Sequence, residues 1–185
     1  MIPAVIPPLT SLTVLVTRPA PQAAVLAANI RELGGEAIVQ PAIEIRPVAA
    51  TRAAGHQLVI FVSVNAVEHG ARYIEKTAEM RIAAIGKATA AALAAIDMPA
   101  DIVPDAGFDS EALLAHPDLI LPSDARILIV RGSGGRELMR ETFAARGCTV
   151  EILDVYERVM PTFDEQRRTE LEATWAAGAI DIATI

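Results

Sequence analysis

Four times along this chain a short run of Val, Ile and Leu ends in a hydroxyl residue or glycine and gives way to a helical pattern. The segments are LTVLVTRPAPQ (12–22), LVIFVSVNAVEHG (58–70), RIAAIGKATAAAL (81–93) and RILIVRGSGGRELM (126–139), turning at Thr17, Ser63, Gly86 and Gly132. A strand–turn–helix unit that recurs in this way predicts an α/β fold with parallel sheets, because crossover helices must cover the sheet. Its turns lie at the C-terminal edge of the strands, where helix N-termini present free N–H groups and hydroxyls, a setting for anions. None of the four turns carries an obvious nucleophile or metal cluster. The pattern suits holding a negatively charged molecule rather than attacking one.

Composition narrows the reading. A chain of 185 residues forms one medium domain or two small ones, and with 52% hydrophobic but only 4% aromatic residues its core must be aliphatic and Ala-rich. A formal charge of −7 argues against nucleic acid or an anionic membrane as partner. Any anion site must therefore act locally, through oriented amides and a few Arg residues. Cys148 is the single cysteine, which excludes an internal disulfide and a thiolate zinc cluster; it reads as a small buried thiol. The start, MIPAVIPPLT, is broken by prolines and lacks a basic region, so it reads as an extended lead-in rather than a signal peptide. No apolar run approaches the roughly 20 residues that span a bilayer. A cytoplasmic location is the default expectation.

Strands are expected at 12–17, 36–40, 43–46, 58–62, 82–85, 101–103, 127–130, 149–156 and 180–185. Helices are expected over 21–33, with Leu26, Ile30 and Leu33 as the apolar stripe, and over 64–76, with Val67, Ala71 and Ile74. Further helices fall at 87–96, at 109–115, at 135–146 with Leu138, Met139 and Phe143 inward, and at 163–177 with Leu171 and Trp175 one turn apart. Two extended, proline-bounded stretches, QPAIEIRPVAA (40–50) and VYERVMPTF (155–163), interrupt the alternation. Taken as linkers over 41–46 and 156–161, they divide the chain into a discontinuous first domain (1–40 plus 162–185) and an inserted second domain (47–155). A cleft between domains is the natural ligand site under this division. The first domain then has about three strands, a thin sheet, and AIDIATI stops where a strand should deliver its loop.

The individual motifs leave alternatives open. RGSGGRE (131–137) fits a dinucleotide fingerprint at Gly132 and Gly134 but places Glu137 where a small residue belongs, and Gly86-Lys87 lacks the rest of a P-loop. A turn whose N–H groups bind carboxylate, flanked by Arg131 and Arg136, is the simpler account; solvated arginines beside a tight turn is the other. Arg18, after the first strand, either grips an anion or faces solvent. Ser63, Asn65 and Thr89 stand at helix starts, where capping alone explains them. His56, His69 and His116 have no triad or metal spacing, and Glu44, Asp154 and Asp181 form no convincing acid–base pair. Tyr156 closes a strand, as a packed ring or as a phenol able to donate to a departing oxygen.

In order and spacing, VLVTRP (14–19), VIFVSVNAV (59–67), AAIGKATAAAL (83–93), FDSEALL (108–114), ILIVRGSGGRELM (127–139) and GCTVEILDVYER (147–158) resemble the uroporphyrinogen-III synthase family. The resemblance implies two α/β domains joined by a two-stranded linker, the second inserted in the first. It implies a cofactor-free, metal-free lyase and cyclase of tetrapyrrole and heme biosynthesis. Linear hydroxymethylbilane loses its ring-A hydroxyl, ring D attacks to form a spiro intermediate, and fragmentation and reclosure invert ring D. By motif, Tyr156 matches the tyrosine proposed to assist hydroxyl departure. Ser63, Asn65 and Thr89, and with weaker motif support Arg18, Arg131 and Gly132, match substrate-facing positions. The implied partners are the linear tetrapyrrole and the preceding enzyme, hydroxymethylbilane synthase; the implied state is a monomer. Family members continue beyond DIATI through a Ser-rich turn and another strand–helix unit, so this chain alone is expected to be weak or inactive. A non-catalytic α/β module that binds an anionic ligand is the alternative.

Overall fold

The computed structural model describes residues 8–184; positions 1–7 of the proline-broken lead-in and Ile185 of the last strand candidate lie outside the described residues. In chain order the elements are β1 (Thr13–Val16), α1 (Ala20–Glu32), β2 (Glu36–Val39), β3 (Glu44–Pro47), β4 (Leu58–Phe61), α2 (Val64–Gly70), β5 (Arg81–Ala84), α3 (Lys87–Ala94), α4 (Ser110–Leu114), β6 (Arg126–Gly132), α5 (Leu138–Ala145), β7 (Thr149–Val159), α6 (Glu165–Ala176) and β8 (Ile182–Thr184). They fall into two compact units, Met1–Ile45 with Arg158–Ile185, and Arg46–Glu157.

The unit built on Arg46–Glu157 holds most of a five-stranded sheet in the order β3-β7-β6-β4-β5. Strands β4, β5, β6 and β7 are parallel, with Leu58 opposite Arg81 and Ile127, and Ile127 opposite Val150. All four residues of β4 are buried, as a strand covered on both faces requires. On one face Leu58, Ile60, Ile127 and Ile129 pack with Leu113 of α4 and with Met139 and Phe143 of α5. On the other, α2 lies so close that a Cβ on Gly70 would stand 2.5 Å from Val130 Cγ1 and 3.2 Å from Val155 Cγ2. Only glycine permits that approach.

The other unit carries a three-stranded parallel sheet, β2-β1-β8. Val14 and Val16 pack beneath Ala23, Ala27 and Ile30 of α1. The stripe expected from Leu26, Ile30 and Leu33 is corrected at one end: Ile30 is buried and Leu26 packs against this core, but Leu33 is 45% exposed, and the closest approach to the sheet is through the small Ala23 and Ala27. The helix ends on Gly34, whose φ of +85° suits a left-handed turn, with its N–H donating to Arg31 O at 3.0 Å.

Other boundaries differ for local reasons. The strand expected at 101–103 shrinks to a bridge between Ala83 and Ile102, because the Asp101 carboxylate accepts the Ile82 N–H at 2.7 Å in place of a ladder bond. The helix expected over 64–76 ends at Gly70 and tightens into a 3-10 turn, Ala71–Tyr73. The helix expected from 135 begins only at Leu138, after a loop held by Arg131. Strand β7 runs unbroken to Val159, beyond the expected end at 156.

Candidate functional site

The turn after β4 sets the geometry. Ser63 takes extended backbone angles (φ −170°, ψ 165°), and its Oγ accepts the Ala66 N–H at 3.0 Å, so it is the N-cap of α2. That bond fixes the hydroxyl at the C-terminal edge of the sheet. Tyr156 reaches the same point from β7, with its phenol oxygen 3.1 Å from Ser63 Oγ. Strand β6 lies between β4 and β7, so the ring must cross the end of β6. Two features of β6 allow this. The register slips between Arg131 and Gly132, so that Arg131 faces Asp154 but Gly132 faces Tyr156. And Gly132 has no side chain: a Cβ there would lie 2.5 Å from Tyr156 Cε2 and 2.6 Å from Cζ. The ring is buried to 1% exposure, with the His69 ring of α2 tilted beside it at 6.2 Å between centroids. Ser63 is only partly buried.

Arg131 occupies the next position. Its guanidinium contacts Glu137 at 3.0 Å through one terminal nitrogen and Asp154 at 3.1 Å through Nε. The terminal nitrogen also donates to the carbonyls of Gly135 and Arg136 at 3.1 and 3.2 Å. Its charge is therefore matched within the unit, and it holds the 133–137 loop shut like a clasp. The Arg140 and Arg131 guanidiniums together pull the Glu137 carboxyl below the usual carboxylate range. Of the two arginines flanking this turn, Arg136 is the exposed one, paired with Glu111 of α4 at 2.5 Å. The Ser133 N–H donates to Tyr156 O at 2.8 Å, so that amide is committed to the fold.

Thr89 and Asn65 correct the capping expectation. Asn65 is the second residue of α2, inside the helix that Ser63 caps. Thr89 is the third residue of α3; the cap is Gly86, which offers no side-chain oxygen, and Thr89 is 3% exposed. Arg18 follows β1 in the other unit and is exposed. The structure thus brings Ser63, Gly132 and Tyr156 into one contact set and places Arg131 behind it. It leaves Thr89 on a neighbouring turn of the same sheet.

Sequence reading missed the roles of Asp154 and Glu137 as anchors of Arg131, and the approach of His69 to Tyr156. Asp154 stands two residues before Tyr156 on the same strand, a spacing that carries no recognisable motif. Chemically, the set offers two adjacent hydroxyls, one on a buried residue and one on a partly buried residue. Such a pair can donate a proton or a hydrogen bond to an oxygen that leaves.

Comparison with known proteins identifies the family. The family profile described as Uroporphyrinogen-III synthase HemD matches residues 24–185. The uroporphyrinogen-III synthase of Salmonella typhimurium is 34% identical, the match covering 83% of this chain and 68% of that protein. That of Chlorobaculum parvum is 32% identical, covering 85% and 68%. Among solved structures, a mutant uroporphyrinogen III synthase from Thermus thermophilus superposes with a TM-score of 0.63 at 17% identity, over 93% of this chain and 71% of that one. The Helicobacter pylori enzyme gives 0.53 at 13% identity, over 86% and 68%. At these identities the structures speak for the fold.

Proposed function

The chain belongs to the uroporphyrinogen-III synthase family, and from that membership we propose that it closes linear hydroxymethylbilane into uroporphyrinogen III with inversion of ring D. The supporting observation in its own geometry is the Ser63–Tyr156 hydroxyl pair, 3.1 Å apart. The substrate's pyrroles are electron-rich, so the carbon that loses hydroxide becomes electrophilic without covalent help from the protein. What the protein must add is a proton for the leaving oxygen and a shape that favours spiro closure over simple head-to-tail closure.

In this reading Tyr156 and Ser63 serve the departing hydroxyl. Thr89, Asn65 and the turn that follows Gly132 offer hydroxyl, amide and N–H donors to substrate carboxylates, the Ser133 amide excepted, and Arg18 is the proposed cation for one of them. Arg131 acts indirectly, by holding that turn through Asp154 and Glu137. No helix among the described residues is long and apolar enough to cross a membrane, which is compatible with the proposed cytoplasmic, monomeric enzyme fed by hydroxymethylbilane synthase.

The test is direct. Incubated with freshly prepared hydroxymethylbilane, the chain should give type III product above the spontaneous type I background, at the weak rate expected of this chain alone. A product mixture no different from the protein-free control overturns the assignment.

A further inference from the structure

The geometry points to a fixed order within the hydroxyl pair: Ser63 hands the proton to the departing hydroxyl, and Tyr156 is the buried donor behind it that replaces that proton. This rests on the reaction proposed above and goes beyond it by naming which oxygen meets the substrate.

Three observations carry the order. First, exposure: Tyr156 is 1% exposed, whereas Ser63 is only partly buried, so a ligand arriving at this edge meets the serine before the phenol. Second, the phenol is held in place. Its ring lies over Gly132, where even a methyl group would overlap it, and its oxygen lies 3.1 Å from Ser63 Oγ. Third, Ser63 is constrained by its own bonds. A hydroxyl has two lone pairs and one proton. The Ala66 N–H takes one lone pair at 3.0 Å. When the phenol donates to the other, the serine proton is left for a third partner, which a departing substrate oxygen can supply.

The step balances. As the substrate C–O bond breaks, its electron pair stays on the leaving oxygen and the ring nitrogen's lone pair fills the emptied carbon, giving an azafulvene cation. The leaving oxygen takes the Ser63 proton and departs as water. Ser63 Oγ takes the phenol proton, leaving Tyr156 as phenolate opposite the new cation. When the macrocycle closes and loses a proton from carbon, that proton returns through Ser63 to the phenolate. An aliphatic hydroxyl alone is a poor acid; coupled to a buried phenol it becomes a conduit for a better one.

The experiment compares Ser63→Ala, Ser63→Asn, Ser63→Thr, Tyr156→Phe and the Ser63→Ala/Tyr156→Phe double variant for type III formation from hydroxymethylbilane, with folding checked by circular dichroism. Ser63→Ala, Ser63→Asn and Tyr156→Phe should each lower kcat by about 10²-fold with little change in KM. The double variant should lose no more than the worse single one, since both act in one step. Ser63→Thr, which keeps the hydroxyl, should stay within about tenfold of wild type; Ser63→Asn separates loss of the proton from loss of the cap. A Ser63→Ala variant that keeps its rate while Tyr156→Phe loses it would show the phenol meeting substrate directly and would overturn the order.

A second readout does not depend on turnover. The chain has two tyrosines, so Tyr73→Phe leaves Tyr156 alone for ultraviolet resonance Raman. The tyrosine doublet, which reports hydrogen bonding at the phenol oxygen, should change when Ser63→Ala is added. An unchanged doublet overturns the pair. Type I product alone from the unmodified chain removes the reaction itself, and the relay with it, even where the doublet responds.

Discussion

The two sheets share one construction and differ in how much of it is covered. In the larger unit, β4 is buried at all four positions and β6 from Ile127 to Val130, with helices against both faces. In the smaller unit, α1 covers one face of β2-β1-β8, but on the other Leu15 meets α6 only across a shallow hollow lined by Leu171, Glu172 and Trp175. Helix α6 buries none of its residues, Trp175 is 59% exposed, and Ile182 on β8 is 42% exposed. The same strand–turn–helix grammar therefore gives a tightly packed core in one place and a thinly covered sheet in the other. Burial, rather than strand propensity, separates them: β1 is buried at Val14, Leu15 and Val16, but β8 and α6, which flank it, bury no residue, whereas in the larger unit β4 and β6 are both enclosed.

The sharpest way to break this comparison is to remove a large ring from each unit. Phe143 is fully buried, and Phe143→Ala should cost about 3–5 kcal/mol in denaturant unfolding. Trp175→Ala should cost less than about 1 kcal/mol, because most of that ring already meets water. Equal losses would mean that α6 is held far more firmly than its exposure indicates.

A smaller contrast tests two helix caps of one chemistry. The Asp109 carboxylate accepts the Ala112 N–H at 2.8 Å and starts α4, which buries Leu113; Asp164 accepts the Gln166 N–H at 3.0 Å and starts α6. Asp109→Ala should lower global stability by about 1 kcal/mol. Asp164→Ala should instead speed amide exchange within α6 and leave the unfolding midpoint nearly unchanged, because its loss is absorbed by local fraying. A common shift in the midpoint for both variants would sharpen the picture in the opposite direction, toward one cooperative fold.

The smallest effect is one of acidity. The Arg140 and Arg131 guanidiniums hold the Glu137 carboxyl below its ordinary range. A depressed folded value favours the ionised form in the fold. Its contribution is therefore complete above the usual carboxylate range and is lost as pH falls through the lowered value. Glu137→Gln should be less stable than wild type near neutrality, and the gap should close on acidification and narrow with added salt, since the Glu137 side chain is 41% exposed. Urea midpoints measured across that range would check it; a gap that widens toward low pH would exclude this origin.

Much of the fold was legible along the chain. Apolar runs ending at Thr17, Ser63, Gly86 and Gly132 marked β1, β4, β5 and β6, because a covered parallel strand needs a continuous apolar run and its turn needs small residues. Gly34-Gly35 marked the end of α1 for a related reason: a left-handed turn excludes most side chains. Helix faces were less legible. The Leu26–Ile30–Leu33 stripe held at Leu26 and Ile30 but not at Leu33, and it missed Ala23 and Ala27, whose small side chains let the helix approach the sheet most closely. The strand at 101–103 was misread because nothing local reveals that Asp101 caps the Ile82 amide.

For the site, the sequence by itself determined the chemistry on offer: a cap serine, a glycine at the end of β6, a tyrosine on β7, and no nucleophile or metal cluster among its motifs. Tertiary structure alone decided who meets whom. Ser63 and Tyr156 are 93 residues apart and touch because β6 lies between their strands and its bulge ends on Gly132. Arg131, an anion grip or a solvated side chain by its motif, became a clasp once Asp154 arrived beside it from β7. Local sequence sets conformation and reactivity through short-range sterics and bonding. Partnership between distant side chains depends on strand order and register, which exist only after the sheet has formed.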